Sequence, residues 1–187
     1  MAMNEFALDI AAVRDRARKN LDQGPITDAY GADRERVVQV LNEALATELV
    51  CVLRYRSHHF RATGLAAKSV AEEFLEHAHE EQEHADRIAA RIVQLQGEPN
   101  FNPAGLTDRS HSSYENGPSL ADLLREDLVA ERIAIEVYTE IARWLGEDDP
   151  TTRVLIEQIL AVEEEHADDL LSLLGAHNGA QFPRDQR

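Results

Sequence analysis

The stretch EQEHAD at residues 81–86 returns as EEEHAD at residues 163–168. Each copy follows a second repeated stretch, LNEALATELVCVLRY at 41–55 and LREDLVAERIAIEVY at 124–138, in which Leu, Glu, Leu, Glu and Tyr coincide. Glu48 precedes Glu81 by 33 residues, and Glu131 precedes Glu163 by 32. The chain therefore contains two copies of one unit, and we expect two helical hairpins that pack about a pseudo-two-fold axis.

Glycine and proline divide the chain into four long helical segments and a short leading one. They cluster at 24–25, at 64, from 97 to 118 and from 146 to 150, and apolar residues recur with helical period between these clusters. No segment has the alternation of a β-strand, so the sequence predicts an all-α protein. The predicted helices cover about residues 5–21, 33–62, 66–96, 119–146 and 149–175.

The connection between the second and third long helices sets the topology. It contains about 22 residues rich in Gly, Pro, Asn and Ser, many more than the connection between the last two helices. A connection of that length can travel the length of a bundle, so these two helices should run parallel. We therefore expect a four-helix bundle with one long crossover at residues 33–175, an N-terminal helix and linker at 1–32 and a tail at 176–187, with Asp33 and Ser119 as N-caps.

The charge and cysteine content limit the possible partners and sites. The 187 residues include Asp+Glu 35 against Lys+Arg 19, which gives a formal net charge of -16. Phosphate-backbone binding depends on clustered Lys and Arg, so we expect no nucleic acid partner. Cys51 is the only cysteine, which excludes an intrachain disulfide and a cysteine-based metal site. Residues 1–20 lack the apolar run of a signal peptide or membrane span, and we expect a soluble cytoplasmic protein.

Six ionisable residues lie where the apolar stripes of the four long helices should continue. They are Glu48, Glu81, His84, Glu131, Glu163 and His166. Each Glu-x-x-His pair places both side chains on one face of its helix, about 60° apart. A third such pair, Glu76 and His79, is out of line with this face and should point to solvent. The pattern predicts four carboxylates and two imidazoles inside one bundle core.

Bound cations would offset the free-energy cost of burying these carboxylates. Unpaired buried carboxylates are strongly unfavourable, and two imidazoles are too few to neutralise four of them. Two divalent ions carry the charge that balances four carboxylates, which indicates a dinuclear site. Carboxylate oxygens with one imidazole nitrogen for each metal suit Fe or Mn better than Zn or Cu. We expect iron first and manganese second.

The ordered set of Glu48, Glu81-x-x-His84, Glu131 and Glu163-x-x-His166 resembles the ligand pattern of ferritin-like di-iron proteins. The stretches at 41–55, EHADR at 83–87 and GEPN at 97–100 are similar to bacterioferritin. The resemblance covers about residues 34–174. It implies a ferroxidase centre with two iron ions per chain that oxidises Fe(II) with hydrogen peroxide or oxygen. It also implies a homo-oligomeric protein shell that stores the iron mineral.

Several neighbours of these residues are candidates for supporting roles. Tyr55 lies two turns beyond Glu48 and matches the tyrosine near the bacterioferritin site, so we include it among the catalytic residues as a hydrogen-bond donor or electron source. Tyr138 has the matching position in the second repeat, where a packing role fits equally well. Asp127 is expected to orient His84 through its second ring nitrogen. The roles of three further histidines stay open: His58, His59 and His77.

Two departures from bacterioferritin refine the resemblance. Gln82 occupies the position of the haem-ligating methionine, so haem bound by that route is not expected. The residues after Gly175 include Pro183 and have no apolar helical stripe, so a fifth helix is not expected either. The leading helix and the missing fifth helix resemble the smaller DNA-protection (Dps-type) shells. The resemblance thus implies a Dps-like ferritin with a bacterioferritin-type centre, in a shell of twelve chains rather than twenty-four.

Three other functions remain open from the sequence. A rubrerythrin-like peroxidase needs a second glutamate three residues after Glu131, where Ala134 stands. A di-manganese catalase is compatible with the predicted ligands. A non-enzymatic helical binding module would fit if the core carboxylates bind no metal.

Overall fold

The computed structural model describes residues 7–62 and 68–178, and within these ranges the chain is helical with no β-strand. Four long helices and two short ones account for the secondary structure, together with one 3-10 turn at Leu21–Gln23. The helices are α1 Ile10–Arg16, α2 Arg34–Arg61, α3 Lys68–Gln94, α4 Leu106–Arg109, α5 Leu120–Leu145 and α6 Pro150–Asn178. The predicted all-α class and the four long helices are confirmed.

Local sequence sets the boundaries of the long helices. The Asp33 carboxylate accepts a hydrogen bond from the Arg36 N–H at 3.1 Å and caps α2, and the Ser119 side chain caps α5 in the same way. Gly146 ends α5 with a φ of +50°, in the left-handed region that glycine adopts without strain. Both predicted N-caps are therefore confirmed.

The structure differs from the predicted boundaries in three places. Helix α1 is shorter than predicted, and residues 5–6 of the predicted leading helix lie outside the described residues. Helix α6 continues beyond Gly175 to Asn178, while 179–187 of the predicted tail lie outside the described residues. The crossover contains the unpredicted helix α4, a single turn too short to show a helical period in the sequence.

The crossover follows α2 along its length and fixes the direction of α5. Its contacts with α2 advance together along both segments: Asn42 binds the backbone of Glu98 and Asn100, Thr47 binds His111, His58 binds Glu115 and Arg61 binds Gly117. The chain therefore leaves the end of α3 beside the start of α2 and begins α5 at the opposite end of the bundle. Helices α3 and α5 consequently run parallel, as the length of the connection predicts.

Two apolar clusters fill the bundle and leave a polar layer between them. One cluster includes Leu41, Ile88, Ile92, Leu145 and Ile156, and all five are fully buried or nearly so. The other surrounds Tyr55, Phe74, Leu124 and Leu170. Each cluster lies on one side of the mid-helix glutamates and seals them from the ends of the bundle. Among the described residues, no helix is long and apolar enough to cross a membrane.

Candidate metal centre

Each long helix carries one of the predicted glutamates near its middle, and the bundle brings all four together. Helices α3 and α6 add a histidine one turn later, because the Glu-x-x-His spacing keeps both side chains on one face. All six side chains are at most 3% exposed: Glu48, Glu81, His84, Glu131, Glu163 and His166. Glu76 is exposed, as its position on the helix predicts.

The first of two candidate ion positions lies around the imidazole of His84. Its Nδ1 atom is 3.4 Å from Glu48 Oε2, 3.5 Å from Glu81 Oε2 and 3.1 Å from Glu163 Oε1. Ligand atoms of these four residues all lie within 4.8 Å of one another. One carboxylate from each of three helices and an imidazole from α3 can therefore converge on one cation.

The second position lies around His166 and repeats the arrangement of the first. Its Nδ1 atom is 3.6 Å from Glu81 Oε1, 4.0 Å from Glu131 Oε2 and 3.6 Å from Glu163 Oε2. Glu81 and Glu163 thus belong to both groups, whereas Glu48 belongs only to the first and Glu131 only to the second. This is the geometry of two terminal and two bridging carboxylates.

The hydrogen bonding of this layer supports a cation at each position. Buried atoms without a hydrogen-bond partner among the described residues include Glu48 Oε2, Glu81 Oε1, Glu131 Oε2, both Glu163 carboxylate oxygens and the Nδ1 atoms of His84 and His166. Leaving a buried polar atom unpaired is costly, and these atoms face one another in one small volume. Hard carboxylate oxygens with one imidazole nitrogen per position are the donor set expected for Fe(II) or Mn(II).

Two tyrosines link the terminal carboxylates across the bundle. The Tyr55 hydroxyl on α2 donates to Glu131 Oε1 on α5, and the Tyr138 hydroxyl on α5 donates to Glu48 Oε1 on α2. Each hydroxyl occupies one oxygen of a terminal glutamate and leaves the other oxygen facing the ion position. Tyr138 therefore makes the same kind of contact as Tyr55, although the sequence left a packing role equally open for it.

Burial and the neighbouring charges shift the pKa values of Glu48, Glu131 and the two histidines of the centre. Burial and the neighbouring carboxylates raise the pKa of Glu48 and of Glu131 well above the usual range. Burial opposes a charged imidazole, but the nearby carboxylates of Glu163 and Glu81 raise the pKa of His84 to about 10 and that of His166 to about 11. In the metal-free protein at neutral pH the two imidazoles therefore favour the protonated form, and the carboxyls of Glu48 and Glu131 release their protons at higher pH than ordinary glutamates.

Metal binding should release protons and strengthen as the pH rises. A metal ligand must be deprotonated, so a metal pair displaces the protons of both imidazoles and any proton that Glu48 or Glu131 holds. Because the histidine pKa values lie near 10 and 11 in the metal-free protein, the affinity should rise continuously from pH 6 to pH 8. Calorimetric titration with Mn(II) in buffers of different ionisation enthalpy measures both effects. An affinity that does not change between pH 6 and pH 8 would contradict this result.

Asp127 does not have the predicted role of orienting His84. It is fully buried, but its carboxylate accepts from Arg54 Nε at 2.9 Å and lies 2.8 Å from His58 Nδ1. Arg54 also donates to the Ser112 hydroxyl and the Ser113 carbonyl of the crossover. The cluster therefore fastens the crossover to α2 and α5. The prediction was wrong because it considered only the helix face of Asp127 and not the buried Arg54 that faces it from α2.

The structure also defines the contacts of His77 and His59. The His77 ring stacks on His166 with centroids 3.9 Å apart. His166 Nε2 in turn lies 2.8 Å from Glu80 Oε2, a contact that the sequence reasoning missed. Glu80 directly precedes Glu81 in the sequence, and only the packing of α3 on α6 shows that it reaches His166. His59 lies away from the centre, with its Nδ1 2.6 Å from the Ala71 carbonyl.

Comparison with known proteins agrees with this architecture. The family described as "Ferritin-like domain" matches residues 38–179. The bacterioferritin of Mycobacterium tuberculosis is 34% identical over 140 residues, 72% of this chain and 80% of that protein. The DNA protection during starvation protein of Pyrococcus furiosus is 29% identical over 162 residues, 85% of this chain and 88% of that protein.

A solved structure gives the same result for the fold. The dodecameric thioferritin of Bacteroides fragilis, described as bacterioferritin-related, superposes with a TM-score of 0.76 at 33% identity and covers 80% of this chain and 90% of that one. The family match at 38–179 contains α3, α5 and α6, the part of α2 from residue 38 onward and all six residues of the candidate centre. The chain therefore belongs to the ferritin-like family, and its fold is the ferritin-like four-helix bundle.

Proposed function

We propose that this protein oxidises Fe(II) to Fe(III) at a dinuclear centre within each chain and stores the product inside a homo-oligomeric shell. The observation that carries the proposal is the set of buried, unpartnered ligand atoms on six residues, which fall into two equivalent groups. The relatives support it, because bacterioferritins and a thioferritin are similar to this chain over most of its length.

The residues of the centre have distinct roles in the proposed reaction. Glu81 and Glu163 bridge the two Fe(II) substrates, while Glu48 and Glu131 each hold one. Two Fe(II) supply the two electrons that reduce one hydrogen peroxide to water with uptake of two protons, and two such pairs would reduce one oxygen molecule. Tyr55 and Tyr138 orient the terminal carboxylates, and each phenol adjoins the centre as a donor of a proton or an electron.

An anaerobic titration with Fe(II), followed by oxidant, tests the proposal. About two Fe(II) per chain should bind tightly, and separate additions of hydrogen peroxide and oxygen identify the oxidant from the rate of Fe(III) formation. Fe(III) formation no faster than in buffer would contradict the ferroxidase assignment. Metal analysis and a catalase assay on the same preparation distinguish the di-manganese alternative, which would show manganese and rapid peroxide disproportionation.

Nucleic acid is not part of the proposed function. The name of the Pyrococcus furiosus relative refers to DNA protection, but this chain has a formal net charge of -16. The short helix α1 carries Arg14 and Arg16 with no buried residue, and this basic stretch is opposed by the charge of the whole chain. Removal of Fe(II) and peroxide is a form of protection that needs no contact with DNA.

The shell should contain twelve chains. Storage requires an enclosed cavity, which closed point-group symmetry supplies, and the similar Bacteroides fragilis thioferritin is dodecameric. Light scattering of the purified protein should therefore give a mass of roughly 250 kDa, twelve times the chain mass of 21.0 kDa. A mass near twenty-four chains, or a stable dimer, would rule out this assembly.

A further inference from the structure

The two repeats differ sharply on one side of the centre. A residue of α3 corresponds to the residue 82 positions later in α6, and this register superposes both metal-binding motifs. Beside His166 the two repeats differ in residue type at matched positions. Four residues that could bind a metal correspond there to three apolar residues and one arginine. The pairs are Glu73 with Leu155, His77 with Ile159, Glu80 with Val162 and Asp169 with Arg87.

Three of these residues form a compact group next to the centre. Ligand atoms of Glu73, His77 and Asp169 all lie within 4.8 Å of one another, and His77 Nε2 is 3.5 Å from Glu73 Oε1. Glu73 and Asp169 are half-buried and reach solvent, whereas His77 is only 2% exposed. The group therefore leads from the surface into the bundle.

The imidazole of His77 has polar atoms that its apolar counterpart lacks. It is buried with Nε2 toward Glu73, and its Nδ1 atom has no hydrogen-bond partner among the described residues. Its counterpart in the other repeat is Ile159, so an apolar side chain fills the matching space without this unpaired atom. An imidazole nitrogen that carries no proton can supply its lone pair to a cation held by the neighbouring carboxylates.

The group is also connected to the centre. The His77 ring stacks on His166, and Glu80 is bound to the outer nitrogen of His166. Ligand atoms of His77, Glu80 and His166 lie within 4.8 Å of one another, which provides a second position between the surface group and the centre. His166 faces this outer position with Nε2 and the dinuclear centre with Nδ1.

We propose that Glu73, His77 and Asp169 bind a third divalent cation, and that Fe(II) passes from this position along Glu80 and His166 into the centre. The passage, but not the cation site itself, rests on the proposed ferroxidase function. Two carboxylates balance one divalent charge, and two oxygen donors with one imidazole suit Fe(II) or Mn(II). Among the described residues, the opposite side offers no such route, because Leu155, Ile159 and Val162 are apolar and the Arg87 guanidinium repels cations. The centre is thus loaded from the His166 side.

Anaerobic equilibrium titration with Co(II) tests the site directly. The unmodified protein should bind a tight pair and a third, weaker ion per chain. Asp169→Asn should weaken the third ion by roughly tenfold or more and leave the pair unchanged, as expected when a metal site loses a charged oxygen. His77→Ile, which copies the residue of the other repeat, should remove the third ion. Asp168→Asn is the matched control, since this exposed neighbour loses the same charge and should retain all three ions.

The oxidation kinetics test the passage. Asp169→Asn should raise the Fe(II) concentration needed for half-maximal rate by roughly tenfold with little change in the maximal rate. A tight pair with no third ion in the unmodified protein, or a third ion that Asp169→Asn and His77→Ile both leave intact, would overturn the site. If the third ion binds but Asp169→Asn leaves the oxidation kinetics unchanged, the proposed passage is wrong while the cation site stands. Failure of the ferroxidase proposal would be visible separately, as absence of the tight pair or of Fe(II) oxidation in the unmodified protein.

Discussion

Replacing Glu131 with alanine is expected to slow the initial oxidation of Fe(II) by at least about a hundredfold, more than the loss of an outer hydrogen bond to a metal site usually costs. Glu131 supplies the terminal carboxylate of the His166 position, and its Oε2 atom is buried without another partner. Without it, that position retains two bridging carboxylates and an imidazole, and the second Fe(II) is held too weakly for a two-electron reaction.

The same substitution should leave the helices folded. Burial, and next the charges of Glu81 and Glu163, raise the pKa of Glu131, so its removal relieves an unfavourable interaction in the metal-free protein, while the Tyr55 hydroxyl loses its acceptor at a cost of about 1–3 kcal/mol. Circular dichroism and stopped-flow absorbance measure the two effects on one sample. Glu136→Ala is the matched control, because Glu136 is exposed on the same helix. An initial rate in Glu131→Ala equal to that of the control would refute the assigned role.

The largest effect on stability is expected at Asp127, away from the centre. Asp127→Ala leaves the Arg54 guanidinium, 1% exposed, without its carboxylate, and removes the partner of His58. Breaking a buried ion pair from one side typically costs about 3–5 kcal/mol, because the remaining charge stays buried and unpaired. Urea unfolding of the metal-free protein at fixed concentration measures this loss. Because Arg54 also donates to Ser112, loss of its contact with Asp127 should increase the mobility of the crossover near Ser112.

Two further variants test whether the lost stability comes from the buried ion pair between Arg54 and Asp127. Glu126→Ala removes a carboxylate from the neighbouring, half-buried position and should change the free energy of unfolding by less than about 1 kcal/mol. The double variant Arg54→Met, Asp127→Leu should recover part of the lost stability, since apolar replacement of both partners removes the unpaired charge. If Asp127 orients His84 instead, Asp127→Ala will weaken metal binding strongly and leave unfolding of the metal-free protein nearly unchanged.

The helices and the membership of the centre were predictable because both depend on local period. Glu48 and Glu163 interrupt apolar stripes whose spacing is visible in the sequence, and the repeat shows which faces meet. Helix ends were predictable where one residue determines them, as Asp33 and Gly146 do. The parallel direction of α3 and α5 followed from the length of the crossover alone.

Contacts between helices were less predictable, because they depend on axial offset and rotation. The contacts of Tyr138 with Glu48, and of Glu80 with His166, join residues 90 and 86 positions apart. Asp127 lies on the inward face of α5, but the sequence does not indicate that Arg54 is buried opposite it. An arginine is usually exposed, and only packing against the crossover encloses this one.

The proposed centre consists of four glutamates and two histidines of one chain that hold a pair of iron ions. Anomalous scattering at the iron absorption edge, from crystals loaded with Fe(II) without oxygen, locates these ions. We expect two strong peaks per chain about 3.5–4 Å apart inside the bundle, with Glu81 and Glu163 between them, Glu48 and His84 on one ion and Glu131 and His166 on the other. A bundle core without iron, or iron bound only by exposed carboxylates, would contradict this assignment.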